Sequence, residues 1–287
     1  MKVRRAYAAG RFYEADRARL IAQIERCFQS SPEPGEPSPR DRSNVELPVG
    51  LVLPHAGYPY SGGIAAHGYR LLAERDPLTT AIIIGTNHTG RGGAVSIALH
   101  GTWETPMGIV EIDSDLANRI RGAGSFVRVS DRAFEREHSI EVQLPFLQYL
   151  FGTLRFVPLV VLDPELERMI TLGETVAEAL QEKNGNAVVI ASSDFSHFVP
   201  HEIAKRGDHI AIQAILRFDL DGFYQAVVDE KLLICGPGAI AAVMTAAQSL
   251  GLRRAELLQY ATSAATTGDY ERVVGYASIA FLREPAE

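Results

Sequence analysis

The chain has 287 residues, 46% hydrophobic and 22% charged, a balance that excludes disordered and fibrous classes. The 35 acids against 28 Lys and Arg leave a net charge of -7, which argues against nucleic acid or an anionic membrane as the partner. Two cysteines, Cys27 and Cys235, are too few for a disulfide framework, so a reducing, cytoplasmic setting is expected. Arg11, Glu14 and Asp16 interrupt the N-terminal segment before any apolar run of signal-peptide length. No run reaches the length of a membrane span.

In chain order, residues 15–28 predict a helix, with Leu20, Ile21, Ile24, Cys27 and Phe28 on one face. Cys27 is therefore expected in the core. Residues 30–43 carry four prolines and predict an exposed connector within a single domain spanning 1–287. Strands are predicted at 45–53, 81–84, 95–98, 156–162 and 187–191. Helices are predicted at 64–74, 140–151, 166–183, 203–217, 220–231 and 238–250, with Pro145 in a first turn or at a kink. Two late strands, 257–262 and 273–282, close the chain and are expected to add antiparallel pairing. Strands alternating with helices predict an α/β sandwich with a mainly parallel, mixed central sheet flanked by helices.

Three apolar strands run into histidine-bearing loops: Leu53 into Pro54-His55, Ile84 into Gly85-Thr86-Asn87-His88, and Ala191 into Ser192-Ser193-Asp194-Phe195-Ser196-His197. In open α/β sheets, loops beyond the carboxyl ends of the strands converge on the ligand crevice. A fourth histidine, His138, lies near a helix start. Cys235 precedes the helix at 238–250, where the dipole and free N–H groups favour an anionic sulfur. Imidazole with thiolate suits zinc, iron or copper rather than magnesium or calcium. Against this, a single histidine after a strand is more often a hydrogen-bonded loop residue, Cys235 alone reads as a small buried hydrophobe, and Asp194 reads equally as a turn or cap residue. His67, His100, His201 and His209 are expected to be structural or solvated. No GxGxxG, Walker, GxSxG, HExxH or CxxC pattern is present.

Taken together, the blocks resemble one family. Pro54-His55-Ala56-Gly57-Tyr58-Pro59-Tyr60-Ser61-Gly62 resembles the PHAGYxYSG signature of the Memo family (mediator of ErbB2-driven cell motility). Gly85-Thr86-Asn87-His88 is similar to its GPSHH segment and Thr105-Pro106-Met107-Gly108 to its TPLG turn. The stretch from Glu137-His138-Ser139-Ile140-Glu141 to Pro145 resembles EHSIExQLP. Ser192 to His197 resembles SSDFxH, Ile234-Cys235-Gly236 resembles ICG, and Ala9-Gly10-Arg11-Phe12-Tyr13 resembles AGxWY. The blocks occur in order from residue 9 to 236. Departures are Thr89 for the second histidine of GPSHH, Phe198 where tryptophan is common, and Pro237-Gly238-Ala239 after ICG.

The resemblance implies a single α/β domain related to class III extradiol ring-cleaving dioxygenases. It implies a metal site on His55, His88 and Cys235, with Asp194, His197 and His138 lining the same pocket. A cysteine, a softer and more oxidisable ligand, stands where the dioxygenases have a carboxylate, and the activity implied is redox or dioxygenase-like. The leading expectation is a redox-active ion, iron(II) first and copper second, acting on an unknown small substrate. In that scheme His197 is the acid–base group, Asp194 orients a ring nitrogen or water, and Tyr58 or Tyr60 hydrogen-bonds substrate. The rivals are zinc on the same ligands, hydrolytic or structural, a peptide-binding module without turnover, and a nucleophile made of Cys235 with His197. A functional link to a radical-SAM protein is a further expectation of the resemblance.

Overall fold

The computed structural model describes residues 3–30, 48–74, 78–183, 186–229 and 231–283. Most of the predicted connector at 30–43, and the start of the strand predicted from 45, lie outside them. The strands are β1 (Val3–Arg4), β2 (Pro48–Leu53), β3 (Thr80–Thr86), β4 (Val95–Ile97), β5 (Thr102–Thr105), β6 (Gly108–Ile112), β7 (Val127–Val129), β8 (Arg155–Val161), β9 (Ala187–Ser192), β10 (His197–Val199), β11 (Arg254–Thr262) and β12 (Val273–Leu282). The helices are α1 (Arg17–Phe28), α2 (Gly63–Leu72), α3 (Ser114–Arg121), α4 (Leu144–Phe151), α5 (Leu166–Gln181), α6 (His201–Leu216), α7 (Leu220–Asp229), α8 (Pro237–Ser249) and α9 (Ala264–Thr267).

These strands form one mixed sheet in the order β1-β5-β6-β8-β3-β9-β2-β12-β10, with β11 on β12 and β4 between β7 and β8. Its centre, β8-β3-β9-β2, is parallel. β12 then runs antiparallel to β2, β10 and β11, as expected of the late strands. The central strands are apolar through their middles because helices cover both faces. Val243 of α8 lies against Gly50, whereas Gly68 of α2 lies against Leu51 and Leu53. Side chains alternate along a strand, so α8 and α2 cover opposite faces of β2. The buried side chains of these elements join one main apolar cluster, to which Cys27 belongs.

Local chemistry explains the boundaries. Asp16 caps α1 by accepting the Arg19 amide, and Asp113 caps α3 by accepting that of Leu116. Pro145 sits in the first turn of α4, where its missing N–H costs nothing. The segment 232–235 is not a strand. It carries Cys235 to the start of α8.

Candidate metal centre

β2, β3 and β9 end side by side, and each delivers a polar side chain two residues beyond its last strand residue: His55, His88 and Asp194. The fourth contribution, Cys235, arrives from the start of α8. It fits there because Gly236 packs directly on Ser193 and Thr86. A Cβ on that glycine would come within 2.8 Å of Ser193 and 2.9 Å of Thr86. The Thr86 hydroxyl then donates to the Cys235 carbonyl at 2.9 Å, and the Gly236 amide donates to Ser193 Oγ at 3.0 Å.

The ring nitrogens of His55 and His88 and the sulfur of Cys235 present ligand atoms all within 4.8 Å of one another. Cys235 Sγ lies 3.2 Å from His55 Nε2. His55 is buried, Cys235 half-buried and His88 exposed, so the group opens outward on the His88 side.

The hydrogen bonds fix which nitrogen of each ring faces the sulfur. Ser192 Oγ donates to the Ser139 carbonyl at 2.6 Å and accepts from Gln143 Nε2 at 2.7 Å. Its one hydrogen is thereby used, so at 3.1 Å it accepts from His55 Nδ1 and leaves the Nε2 lone pair facing Cys235. His88 Nδ1 likewise donates to Glu137 Oε1 at 2.9 Å. A ring whose Nδ1–H is held by an oxygen acceptor is the arrangement that orients a metal-binding imidazole through Nε2.

Glu137 was quoted in the sequence only as the first letter of a motif, yet it organises the loop. Fully buried, it accepts from the amides of His138 and Ser139 through Oε1, both at 2.9 Å, and from the His88 amide through Oε2 at 2.6 Å. Burial raises its carboxyl. The hydrogen bond and charge of His88 and the Ser139 amide outweigh that and hold it at about 2. Burial also pulls His88 down, but its hydrogen bonds to Cys235 and Glu137 win and lift it to about 9. Glu137, His88 and His138 form a second compact group, but the carboxylate there is committed to four donors and serves as support.

His138 joins the cluster as expected. Its ring stacks on Phe12 at 4.2 Å and on His88 at 4.6 Å, so both faces are covered. It meets His55 edge-on at 5.4 Å. Burial first, then the neighbouring imidazoles of His55 and His88, depress it to about 3, so His138 is neutral.

Asp194 lies beside the group and reaches it through backbone hydrogen bonds. Its Oδ1 accepts the backbone amides of His55 at 2.7 Å and Ala56 at 3.3 Å, and its own amide donates to Cys235 Sγ at 3.1 Å. It fastens the His55 loop to Cys235 through the backbone. Tyr58 departs from expectation. Its ring is buried against Phe146 and Tyr13 and its hydroxyl donates to the Val142 carbonyl at 2.7 Å, which makes it part of the packing and not a contact for substrate. Tyr60 is exposed.

His197 stands at the start of β10 with Nδ1 2.7 Å from the Phe195 carbonyl and 2.8 Å from that of Leu233. Two carbonyls demand a proton on Nδ1, so Nε2 is the nitrogen with a free lone pair. Phe198, next to it, has φ +59 and is exposed, at the irregular step in the β10–β12 pairing. A residue the sequence left out, Asp208 on α6, anchors this corner. It accepts from the Ser196 amide and hydroxyl at 3.0 and 2.6 Å and from Tyr260 at 2.8 Å. Its only advance signal was an aspartate on the apolar side of an amphipathic helix. Of the remaining histidines, His201 hydrogen-bonds Thr262 and His209 is exposed on α6.

Fold and site together define an α/β protein with a His/His/Cys group at the carboxyl edge of its parallel strands. The family described as Memo-like protein matches residues 4–280, and the chain belongs to the Memo family. It is 43% identical over 276 residues to a MEMO1 family protein of Methanopyrus kandleri, an alignment covering 96% of this chain and 97% of the relative. It is 42% identical to relatives of the same description in Pyrobaculum arsenaticum, over 99% of this chain and 100% of the relative, and Desulfurococcus amylolyticus, over 98% and 99%. Among the described residues, no helix is long and apolar enough to cross a membrane.

Proposed function

We propose that His55, His88 and Cys235 hold a redox-active transition-metal ion, iron(II) in the first place and copper in the second, in a protein that oxidises a small substrate. The observation that carries this reading is the pair of fixed tautomers: Ser192 and Glu137 take the Nδ1 protons, which turns both Nε2 atoms toward one sulfur. Two imidazoles and a thiolate form a borderline-soft donor set, which fits such an ion and does not fit magnesium or calcium. When bound, the ion supplies one-electron redox chemistry and Lewis acidity. Three protein ligands leave coordination positions for other molecules.

The chain's own groups complete the scheme. His138, neutral and held between two rings, forms a rigid wall that is not a proton donor near neutral pH. His197 presents Nε2 as the exchangeable nitrogen and is the acid–base candidate. Asp194 keeps the His55 backbone and Cys235 in register. The test is anaerobic reconstitution with iron(II), copper or zinc, followed by optical and paramagnetic spectra and oxygen uptake with a panel of small reductants. A sulfur-to-metal charge-transfer band with iron or copper, and oxygen uptake that His197→Ala lowers, is the expected result. Tight binding of zinc alone would replace this reading with zinc chemistry on the same ligands.

A further inference from the structure

Beside the ligand group lies a cavity of about 370 Å³, within the range of small-molecule sites. It is lined by Tyr7, Phe12, Thr89, Arg91, Arg136 and His138, with His88 shared with the metal group. The protein carries a net charge of -7, yet among the described residues the only formally charged groups lining this cavity, apart from histidine, are two guanidiniums. Arg91 meets Glu135 at 3.3 Å, but both side chains are about half exposed, and such a pair is weak enough to exchange for a ligand. Arg136 is exposed and has no carboxylate partner among the described residues. The nearest buried carboxylate, Glu137, is spent on its four donors.

We infer that this cavity binds the carboxylate of a small organic acid on Arg91 and Arg136, with the rest of the molecule directed toward His88. Guanidinium forks match the planar carboxylate. Phosphate fits the same forks, but it is usually cradled by free backbone N–H groups as well, and the four amides of residues 88–91 are all occupied. The amides of Thr89 and Gly90 donate to Asn87 Oδ1, that of Arg91 donates to Thr89 Oγ1, and that of His88 donates to Glu137. Apolar ring surface from Tyr7 and Phe12 flanks the arginines and suits an acid with a flat or apolar body. The inference deepens the proposed metal centre, because it names the substrate class at the same mouth.

The experiment is fluorine NMR titration of the full chain, metal-free and metal-loaded, with 4-fluorobenzoate, 4-fluorobenzamide and 4-fluorophenyl phosphate. Wild type is expected to bind the benzoate saturably, and about tenfold or more tighter than the neutral amide. The double variant Arg91→Gln/Arg136→Gln should lose about tenfold or more in benzoate affinity while keeping the wild-type melting curve and metal content. Absence of benzoate binding, equal binding of the amide, indifference to the double substitution, or preference for the phosphate ester would each overturn the carboxylate assignment. The two readings fail separately. Arginine-dependent benzoate binding by a protein that takes up no metal sinks the metal centre alone, and metal uptake without benzoate binding sinks this inference alone.

Discussion

Glu137→Gln tests whether the metal centre is built by its supporting hydrogen bonds. The substitution is nearly isosteric but replaces one acceptor oxygen with a donor. If the new –NH2 takes the Oε2 position, it faces the His88 amide, formerly bonded at 2.6 Å. If it takes the Oε1 position, it faces the amides of His138 and Ser139. One or two buried donors are left unpaired either way, at about 1–3 kcal/mol each. In the second orientation the amide also presents an N–H to His88 Nδ1, so Nδ1 loses the acceptor that lets it keep its proton while Nε2 gives one up to a metal. Metal affinity should therefore fall by about 10–100-fold. Chelator competition measures the affinity, and thermal melting of the metal-free protein measures the stability. A variant that melts several degrees lower yet binds metal with wild-type affinity would refute the reasoning, because Glu137 would then support the fold alone.

The metal-free protein should be most stable near pH 6.5, measured by melting temperature from pH 3 to 10. His138, depressed to about 3, contributes stability that is complete above its unfolded value of about 6.5 and is lost as the pH falls. Glu137, held at about 2, adds a loss below about pH 4.5. His88, raised to about 9, contributes in the opposite sense, with stability complete below about pH 6.5 and lost as the pH rises through 9. A melting temperature that keeps rising from pH 6.5 to 9 would contradict this. Glu141→Ala should cost about 3–5 kcal/mol, because it leaves the half-buried Arg4 guanidinium without its counter-charge and the Tyr7 and Ala8 amides and Tyr13 hydroxyl without their acceptor. Denaturant melts and faster proteolysis of residues 4–13 would report it, and wild-type values for both would refute it. Tyr58→Phe removes the bond to Val142 and should lower stability by about 1 kcal/mol without changing metal binding. Lost metal binding with unchanged stability would restore Tyr58 to the site.

Much of this architecture was legible because burial on both faces writes a strong signal. The strands at 81–84 and 187–191 are continuous β-branched or alanine runs, and the histidine or aspartate after each marks its carboxyl end. What escaped detection lies where the signal is weak. β5 and β6 are short hairpin strands, read only as the Thr105–Gly108 turn, and α3 has just three buried side chains in eight residues. At the site, the residues that offer ligand atoms have telling side chains, whereas those that hold them act on backbone amides, for which many residue types serve. Glu137, Glu141 and Asp208 accept mainly from such groups and tyrosine hydroxyls, so no spacing rule announces them. Ser192 had a signal, a serine closing a wholly buried strand. A buried hydroxyl needs partners, and there they proved to be His55, Gln143 and Ser139. Tyr58 was expected, as an alternative to Tyr60, to hydrogen-bond substrate, but the tight helical turn at Tyr58–Gly62 carries it into the core.

The most direct test of the central claim is metal stoichiometry after anaerobic reconstitution of wild type, His55→Ala, His88→Ala and Cys235→Ser. The account predicts close to one iron or copper ion per wild-type chain and a large loss in each variant, with folding shown intact by circular dichroism. No metal in wild type under any loading, or full occupancy in all three variants, would contradict it.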